Sequence, residues 1–527
     1  MIDGTMQDYP LTLDKFLRHA AKWHPRAQVA TAREGGAIER IGYADMQSRA
    51  LAITSLLAGF GVQPGDRVAT LAWNSQPHVE SWYAVMGIGA VCHTLNPRLT
   101  AAQLGAMAAQ SEAKLLVASA DLLPLARNIA ERASGIERIL VIDGHVDDAG
   151  CAGVPVTPLE PLIATAPGGA IWGDFAETAP SGLCFTSGTT GAPKGVSYTH
   201  RACFLHTLRC LQADVMAVRA TDSVLVVVPM FHANAWGLPF TVPAAGAKLV
   251  LPGRYNDGAS LARLIAAEQV TIGVAVPTVW LGLVEHLEVT GGELPSLQRI
   301  IVGGSPLAPA LMARIEQRLG VTVQTSWGMT ELSPSGTVAP PHDPARAATV
   351  SGRPAIGIDL LITDADGEPL AEQRETEGHL RVRGAAVIDR YFGHDEPATD
   401  PRGWFATGDL ARIDTHGNLV ITGRAKDLIK SGGEWINPAE IEAVVGALPE
   451  VSLAAVIGRT DAKWGERPVL LVEMCDGAIS DEELLEPLRG RVAPWWIPDA
   501  VVRLDAMPLA PTGKIDKIRL RAEYGSA

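Results

Sequence analysis

Across its first four hundred residues the chain alternates short β-branched runs with longer helical patterns, and that rhythm leaves few architectures open. Arg67-Val-Ala-Thr-Leu-Ala72 reads as a strand after the turn Gln63-Pro-Gly-Asp66, and Pro77 to Ala90 then reads as a helix. The pairing returns at Lys114 to Val117, Arg138 to Ile142, Ser223 to Val228, Ala247 to Leu251 and Ile272 to Val276. Strands that alternate with helices pair in parallel, because each crossover helix covers a face of the sheet. The expected fold is α/β, with a large N-terminal domain of doubly wound sheets. At 527 residues the chain exceeds what one core supports, and it carries no internal repeat.

Composition changes near residue 350. From Gly352 to Val420, short strands separated by Gly, Asp and Pro turns indicate a small barrel-like β subdomain, about 350–425. Past Gly423-Arg-Ala-Lys-Asp427 a last segment has its own helix (Pro438 to Ala447), strands (Ala454 to Gly458, Val469 to Glu473) and helix (Asp481 to Gly490). This divides the chain into an N-terminal domain, 1–425, and a small α+β C-terminal domain, 427–527, with the boundary at Lys426.

The 44 basic and 58 acidic residues leave a net charge of −14. Phosphate backbones need clustered Lys and Arg, so nucleic acid is not expected as a partner, whereas a nucleotide needs only a local pocket. The longest apolar stretch, Val270 to Val284, contains Pro277 and falls short of the roughly 20 residues that span a bilayer. It reads as a buried strand and the start of a helix, and no membrane span is expected. The opening Met1-Ile2-Asp3-Gly4 lacks a basic region ahead of an apolar run, so no secretion signal is expected. Six scattered cysteines without metal-ligand spacing read as reduced packing residues of a cytoplasmic protein.

The sharpest motif is Thr186-Ser187-Gly188-Thr189-Thr190-Gly191-Ala192-Pro193-Lys194-Gly195. Its glycines let backbone N–H groups turn toward a common point and form an anion-binding concavity. The hydroxyls of Ser187, Thr189 and Thr190 add donors, and Lys194 adds a full charge. The combination suits a polyphosphate, although the spacing is not that of a Walker A loop. A polar surface loop is the bland alternative.

The segment Phe185 to Val196 resembles the signature of the adenylate-forming superfamily, which includes acyl-CoA synthetases, luciferases and nonribosomal adenylation domains. Further motifs follow in the family's order, from residue 185 to 514, so the resemblance covers essentially the whole chain. Ser326-Trp327-Gly328-Met329-Thr330-Glu331 resembles the second nucleotide motif. The resemblance implies that Trp327 packs on adenine, Thr330 binds phosphate and Glu331 meets Mg2+, a hard cation that takes carboxylate and phosphate oxygens. A local helix cap would also explain Thr330 and Glu331. Gly304, Ser305 and Pro306, with Gly303 before them, resemble the backbone lining of the adenine pocket. Within Gly403-Trp404-Phe405-Ala406-Thr407-Gly408-Asp409-Leu410, Asp409 resembles the acid that accepts both ribose hydroxyls, with Arg424 approaching the same ribose. Lys430, Ser431, Gly432, Gly433, Glu434 and Trp435 resemble the segment that faces coenzyme A, the glycines leaving room for a pantetheine channel. Pro511-Thr512-Gly513-Lys514 matches the near-terminal lysine motif.

The family chemistry is attack of a carboxylate on the α-phosphate of ATP, followed by transfer of the acyl group to a thiol. The resemblance implies catalytic roles for Lys514, Glu331, His232 and Thr186. It implies a hinge at Lys426, about which a mobile C-terminal domain turns between the two half-reactions. Pro229-Met-Phe231-His232-Ala-Asn-Ala-Trp236-Gly237 follows a buried strand and reads as the opening of a helix, on which residues four apart share a face. Family resemblance places His232 beside the substrate carboxylate, with Trp236 and Gly304 shaping the acyl pocket; a buried aromatic pair is the alternative. The His232–Trp236 pairing resembles ligases for short and medium acids, including methylmercaptopropionate-CoA ligases. The implied substrates are a small carboxylic acid, ATP and coenzyme A, with Mg2+ as cofactor; a homodimer is left open. An aryl or arylalkanoic acid, a separate carrier protein as thiol acceptor, a luciferase-like oxygenase and a non-catalytic nucleotide-binding regulator are the competing readings.

Overall fold

The computed structural model describes all residues except 1–3, 145, 147–152, 187–192, 433, 476–478, 511–512 and 527. Among the described residues, two large sheets dominate the first 350 positions. One has seven strands in the spatial order Val156–Pro158, Arg138–Ile142, Leu115–Ser119, Arg67–Leu71, Val91–Thr94, Pro180–Phe185, Gly195–Thr199. It is parallel up to the final hairpin. The other has nine, with a parallel centre of Thr322–Gly328, Arg299–Val302, Ile272–Ala275, Ser223–Val226, Lys248–Leu251 and Gln28–Ala32 and antiparallel strands at each edge. The expected alternation is therefore present, and the apolar stretch at 270–284 is a buried strand followed by the helix Pro277–Thr290.

The two sheets lie face to face with helices between them and on both outer sides. Asp14–Trp23, Tyr43–Gly59, Gln76–Gly87 and Leu238–Ala245 fill the middle layer. Gln76–Gly87 is buried along its whole length. Ser75 caps it, accepting from the His78 N–H, and Pro77 sits in its first turn, where no amide proton is missed. Its one carboxylate, Glu80, is matched by Arg49 at 2.8 Å, since an unpaired charge there would be prohibitive.

Asn74 stitches the sheets together. It follows Arg67–Leu71 of the first sheet and is 4% exposed. Its Nδ2 donates to the carbonyls of Val226, the last residue of a second-sheet strand, and of Val228 just beyond it, each at 2.9 Å. Its Oδ1 accepts from the Met230 N–H at 2.7 Å, and its carbonyl accepts from the Gly253 N–H at 3.0 Å. An amide is the one uncharged side chain that donates twice and accepts at once. It fixes where the chain leaves Ser223–Val226 on its way to His232.

The expected barrel-like subdomain is a four-stranded antiparallel meander, Ile358–Thr363, Gly378–Gly384, Phe405–Ile413 and Leu419–Arg424. Beyond it, Val451–Asp461 and Gly465–Met474 form a long hairpin flanked by Pro438–Val445 and Lys517–Tyr524. Buried side chains past residue 429, such as Ile436, Val456, Leu470 and Leu520, make cores separate from those of the preceding chain. The helix expected from Asp481 to Gly490 is shorter, Asp481–Leu485 followed by one tight turn, because Pro487 interrupts the pattern. No described helix is long and apolar enough to cross a membrane.

Asn74→Ala is expected to lower stability by about 3 kcal/mol or more, since each orphaned buried group costs roughly 1–3 kcal/mol. Urea unfolding followed by tryptophan fluorescence measures it; a midpoint within error of the wild type would contradict the stitching role.

Candidate active site

The expected site residues sit where parallel strands end. Thr186 follows Pro180–Phe185, His232 lies beyond Ser223–Val226, Gly303 follows Arg299–Val302, and Trp327 closes Thr322–Gly328. Carboxyl ends of strands in open α/β sheets converge on a crevice, which is where ligands bind.

Ser187, Gly188, Thr189, Thr190 and Gly191 of the phosphate-loop motif lie outside the described residues, as does Gly433. The base of that loop is defined. Its flanking strands pair antiparallel, and the Thr186 N–H donates to the Lys194 carbonyl at 2.9 Å. The Lys194 ammonium stands 4.8 Å from the ring centroid of Tyr391. The Tyr391 hydroxyl in turn donates to Glu331 Oε1 at 3.0 Å.

Glu331 and Thr330 occupy a short 3-10 turn, Thr330–Leu332, and both are buried. No side-chain cap is made at its start, so a local capping role does not account for Thr330. The turn is anchored from outside: the Tyr198 hydroxyl donates to the Thr330 carbonyl at 2.8 Å. Burial raises the Glu331 pKa, with partial relief from Tyr391, Arg424 and Lys194. A carboxylate whose negative charge is under-compensated is suited to a cation.

Asp409 is 2% exposed. Its Oδ1 pairs with Arg424 Nε at 2.7 Å and its Oδ2 accepts from the Trp327 indole N–H at 2.9 Å. Each oxygen retains acceptor capacity for a diol. Burial raises its pKa, while Arg424, Trp327 and Lys514 oppose the rise. Trp327 is 9% exposed and covers Gly336, where an added Cβ would come within 2.5 Å of the indole. Holding Asp409 is a role for Trp327 that the sequence does not disclose. Gly303 is required by packing and Gly304 by its backbone conformation. A Cβ on Gly303 would lie 2.3 Å from Ser326 Oγ, and Gly304 has φ +84°. Ser305, half-buried, and Pro306, exposed, follow. The Met329 N–H donates to the Pro334 carbonyl, and a Cβ on Gly328 would strike that same oxygen.

The segment after His232 corrects the sequence reading. It does not open a helix on which His232 and Trp236 share a face. Ala233, Asn234, Ala235 and Trp236 have φ of 45°, 50°, 46° and 54°, followed by Gly237 at 74°, and the helix begins only at Leu238. Left-handed backbone costs roughly 1–2 kcal/mol per residue, so the turn must be imposed from outside. Asn234 Oδ1 accepts from the Cys184 thiol at 3.2 Å, and the Thr241 hydroxyl donates to the Gly237 carbonyl at 3.0 Å. The turn nevertheless carries Trp236 to Gly303 and Gly304: built Cβ atoms there would lie 3.1 and 3.7 Å from its indole.

Lys514 joins this group from the far end of the chain. Its Cε lies 3.9 Å from where a Gly304 Cβ would be, and Gly513 stands by Val276 and Thr278. Burial, then Arg424, lower its pKa from the ordinary 10.5 to about 8, against the pull of Asp409 and Glu331. Burial, and next Lys514, hold His232 near pH 4, so its imidazole is neutral. Lys514, His232, Trp236, Gly304, Glu331, Asp409 and Arg424 thus share one cleft.

The segment Lys430 to Trp435 belongs elsewhere in this conformation. It forms a hairpin, Ile429–Ser431 with Glu434–Ile436, whose hydrogen bonds run to Trp464, Glu466 and Arg467. Lys430 lies over the exposed Trp435 at 5.4 Å, and Gly432 has φ +59° with Trp464 against it. Lys426 sits in the short turn Ala425–Asp427, and Asp427 pairs with Arg521 of the last helix at 2.7 Å.

The family described as AMP-binding enzyme matches residues 17–392, and the AMP-binding enzyme C-terminal domain matches 440–514. The chain is 39% identical over 534 residues to a 3-methylmercaptopropionyl-CoA ligase of Ruegeria lacuscaerulensis, covering 99% of each chain. It is 40% identical over 535 residues to a medium-chain-fatty-acid–CoA ligase of Ectopseudomonas oleovorans, covering 99% of this chain and 97% of that one. Among solved structures, ATP-bound MatB from Rhodopseudomonas palustris superposes with a TM-score of 0.85 at 26% identity, covering 98% of this chain and 99% of the other. An anthranilate CoA ligase in complex with anthranoyl-AMP has the same fold, with a TM-score of 0.88 at 23% identity and the same coverage. With two family matches along its length and relatives aligned nearly end to end, the chain belongs to the AMP-binding enzyme family.

Proposed function

We propose that the protein is an ATP-dependent acyl-CoA ligase. It converts a carboxylic acid and ATP to acyl-AMP and pyrophosphate, then acyl-AMP and coenzyme A to acyl-CoA and AMP. The observation that carries this reading is the arrival of Lys514 beside Gly304, in the cleft that holds Glu331, Asp409, Arg424 and His232. A carboxylate repels nucleophiles and has no good leaving group. Transfer of its oxygen to the α-phosphate makes AMP that leaving group. The two reactants are both anions, so the protein's task is to put positive charge and donors where they meet.

Lys514 bridges the acid and the α-phosphate in this reading. Thr186, Lys194 and the loop between them take the phosphates, Asp409 and Arg424 take the ribose, and Trp327 with the 303–306 backbone borders the base. Glu331 would hold Mg2+, which supplies charge neutralisation to the phosphate oxygens when bound. The neutral His232 can donate one hydrogen bond to the substrate carboxylate without a competing charge. Trp236 beside Gly303 and Gly304 borders the acyl group. The two relatives at 39% and 40% identity are named for acids without a ring, which supports a short or medium aliphatic or thio-substituted acid. Domains 1–425 and 427–527 meet at Lys426, and rotation there brings Lys430 to Trp435 toward the cleft for thiol attack. Buried free Cys92, Cys184, Cys203 and Cys210 support a cytoplasmic location.

Lys514→Ala is expected to reduce acid-dependent pyrophosphate release by on the order of 10²-fold or more, while thioester still forms from supplied acyl-AMP. Unchanged release would remove Lys514 from the chemistry. The ammonium is the active form, so kcat/KM for the acid is expected to fall about tenfold per pH unit above about pH 8. The limb in kcat should lie higher, because bound phosphates favour the charged amine. A basic limb that persists in Lys514→Ala would assign it to another group. Lys426→Pro is expected to slow thioester formation more than adenylation, followed by single-turnover measurement of each half-reaction. Equal loss of both would place the hinge elsewhere.

A further inference from the structure

We infer that His206 is a positioning residue that ties the acid pocket to the nucleotide turn, so that each is held in register with the other. This rests on the acyl-adenylating reading above, and it concerns a side chain that no sequence motif contains.

His206 lies on the helix His200–Cys210, is 1% exposed, and sits between two segments that carry the site. On one side, Gly237 ends the left-handed turn that presents Trp236. A Cβ added there would lie 2.8 Å from both Cε1 and Nδ1 of the imidazole. The ring therefore occupies the space that any other residue's side chain would need, and it backs the turn at its last position. On the other side, the Ser335 N–H donates to His206 Nε2 at 3.2 Å. Ser335 begins the strand Ser335–Val338, separated by two residues from the turn Thr330–Leu332 that holds Glu331.

The chemistry of the contact fixes the state of the ring. Nε2 accepts from a backbone amide and so carries no proton, which leaves the proton of the neutral ring on Nδ1. Burial, and next Arg209, push the His206 pKa well below its ordinary value, which agrees with an uncharged ring. One turn along the helix, Arg209 donates to the Ser335 carbonyl at 3.0 Å. The same residue of the second segment is thus gripped at its N–H by His206 and at its C=O by Arg209. Tyr198, on the strand just before this helix, holds the Thr330 carbonyl at 2.8 Å. The stretch 195–210, which leaves the phosphate loop, therefore makes three bonds to the chain on either side of Glu331, one at Thr330 and two at Ser335. His206 also touches the turn that carries Trp236.

The two contacts use different properties of one side chain, so two substitutions separate them. Phe retains a ring against Gly237 but offers no acceptor to Ser335. Gln can offer an acceptor near Nε2 but leaves the space beside Gly237 unfilled. Initial rates of acid-dependent pyrophosphate release would be measured for a series of linear carboxylic acids and for MgATP, with thermal melting of each variant. Misplacement by about 1 Å costs on the order of 10²-fold, so a change of about tenfold is expected. His206→Phe should raise the MgATP KM by that amount and keep the wild-type order of preference among acids. His206→Gln should keep the MgATP KM near wild type and alter the ratio of kcat/KM between longer and shorter acids. A residue that served stability alone would lower the melting temperature and leave both ratios unchanged; that result overturns the proposal, as does an identical shift in both variants. If His206→Phe does not fold, Gly237→Ala is read in its place. Its Cβ must displace the ring, so the MgATP KM should rise although Gly237 is remote from the nucleotide turn, and the rise should shrink when His206→Gln is added. No rise, or one that His206→Gln does not relieve, overturns the proposal. Wild-type enzyme that releases pyrophosphate with none of the acids would instead refute the underlying functional reading.

Discussion

A buried ammonium, Lys514, held near two buried carboxylates, Asp409 and Glu331, is the constraint on which the rest of the molecule depends. Lys514 comes from the last few turns of the chain, yet the groups that tune it, Arg424, Asp409, Glu331 and Lys426, come from three other regions. Among the described residues no carboxylate pairs directly with it. Burial without a partner lowers its affinity for a proton, and an arriving polyphosphate restores that affinity. The cleft is in this sense built for an anion that must come from outside.

The surrounding structure answers the question of how such distant pieces keep register. Parallel strands of two sheets deliver their loops to one edge, and single polar side chains then lock loop to loop across the gap. Asn74 binds the exit of Ser223–Val226. Trp327 binds Asp409, Tyr391 binds Glu331, and Tyr198 binds Thr330. These are buried, directional bonds whose loss leaves a polar group stranded, so each specifies position as well as stability. The left-handed turn at 233–237 shows the same logic in reverse. Its backbone is unfavourable by itself, and neighbours such as Cys184 and Thr241 oblige it to stand.

Much of this is legible in the amino-acid sequence. The strand–helix alternation places both sheets, because β-branched runs of four to six residues between helical patterns have one economical packing. In the structure the sheet changes after Arg353–Pro354 and again after Leu419–Arg424. Gly303 reads as a point of close approach, and the geometry at Ser326 agrees, whereas Gly304 owes its place to a positive φ. The turn after His232 defeats a sequence reading because Ala-Asn-Ala-Trp carries no glycine until its end. Nothing local announces positive φ in two alanines, since the force comes from residues remote in sequence. Asn74 and His206 escape notice for a related reason. Each is a lone polar residue that hydrogen-bonds to backbone more than a hundred positions away, and no spacing rule joins them. The destination of Lys514 follows from family resemblance alone; a lysine near a chain end otherwise reads as a solvated charge.

A crystal structure of the full-length enzyme with an acyl-sulfamoyl adenosine, a stable mimic of the acyl-adenylate, tests the central claim most directly. The account predicts the Lys514 amine within hydrogen-bonding distance of the mimic's carbonyl or sulfamoyl oxygens, with Asp409 on the ribose hydroxyls. A mimic bound in the same cleft with Lys514 turned to solvent and Asp409 still closed on Arg424 and Trp327 alone would contradict it.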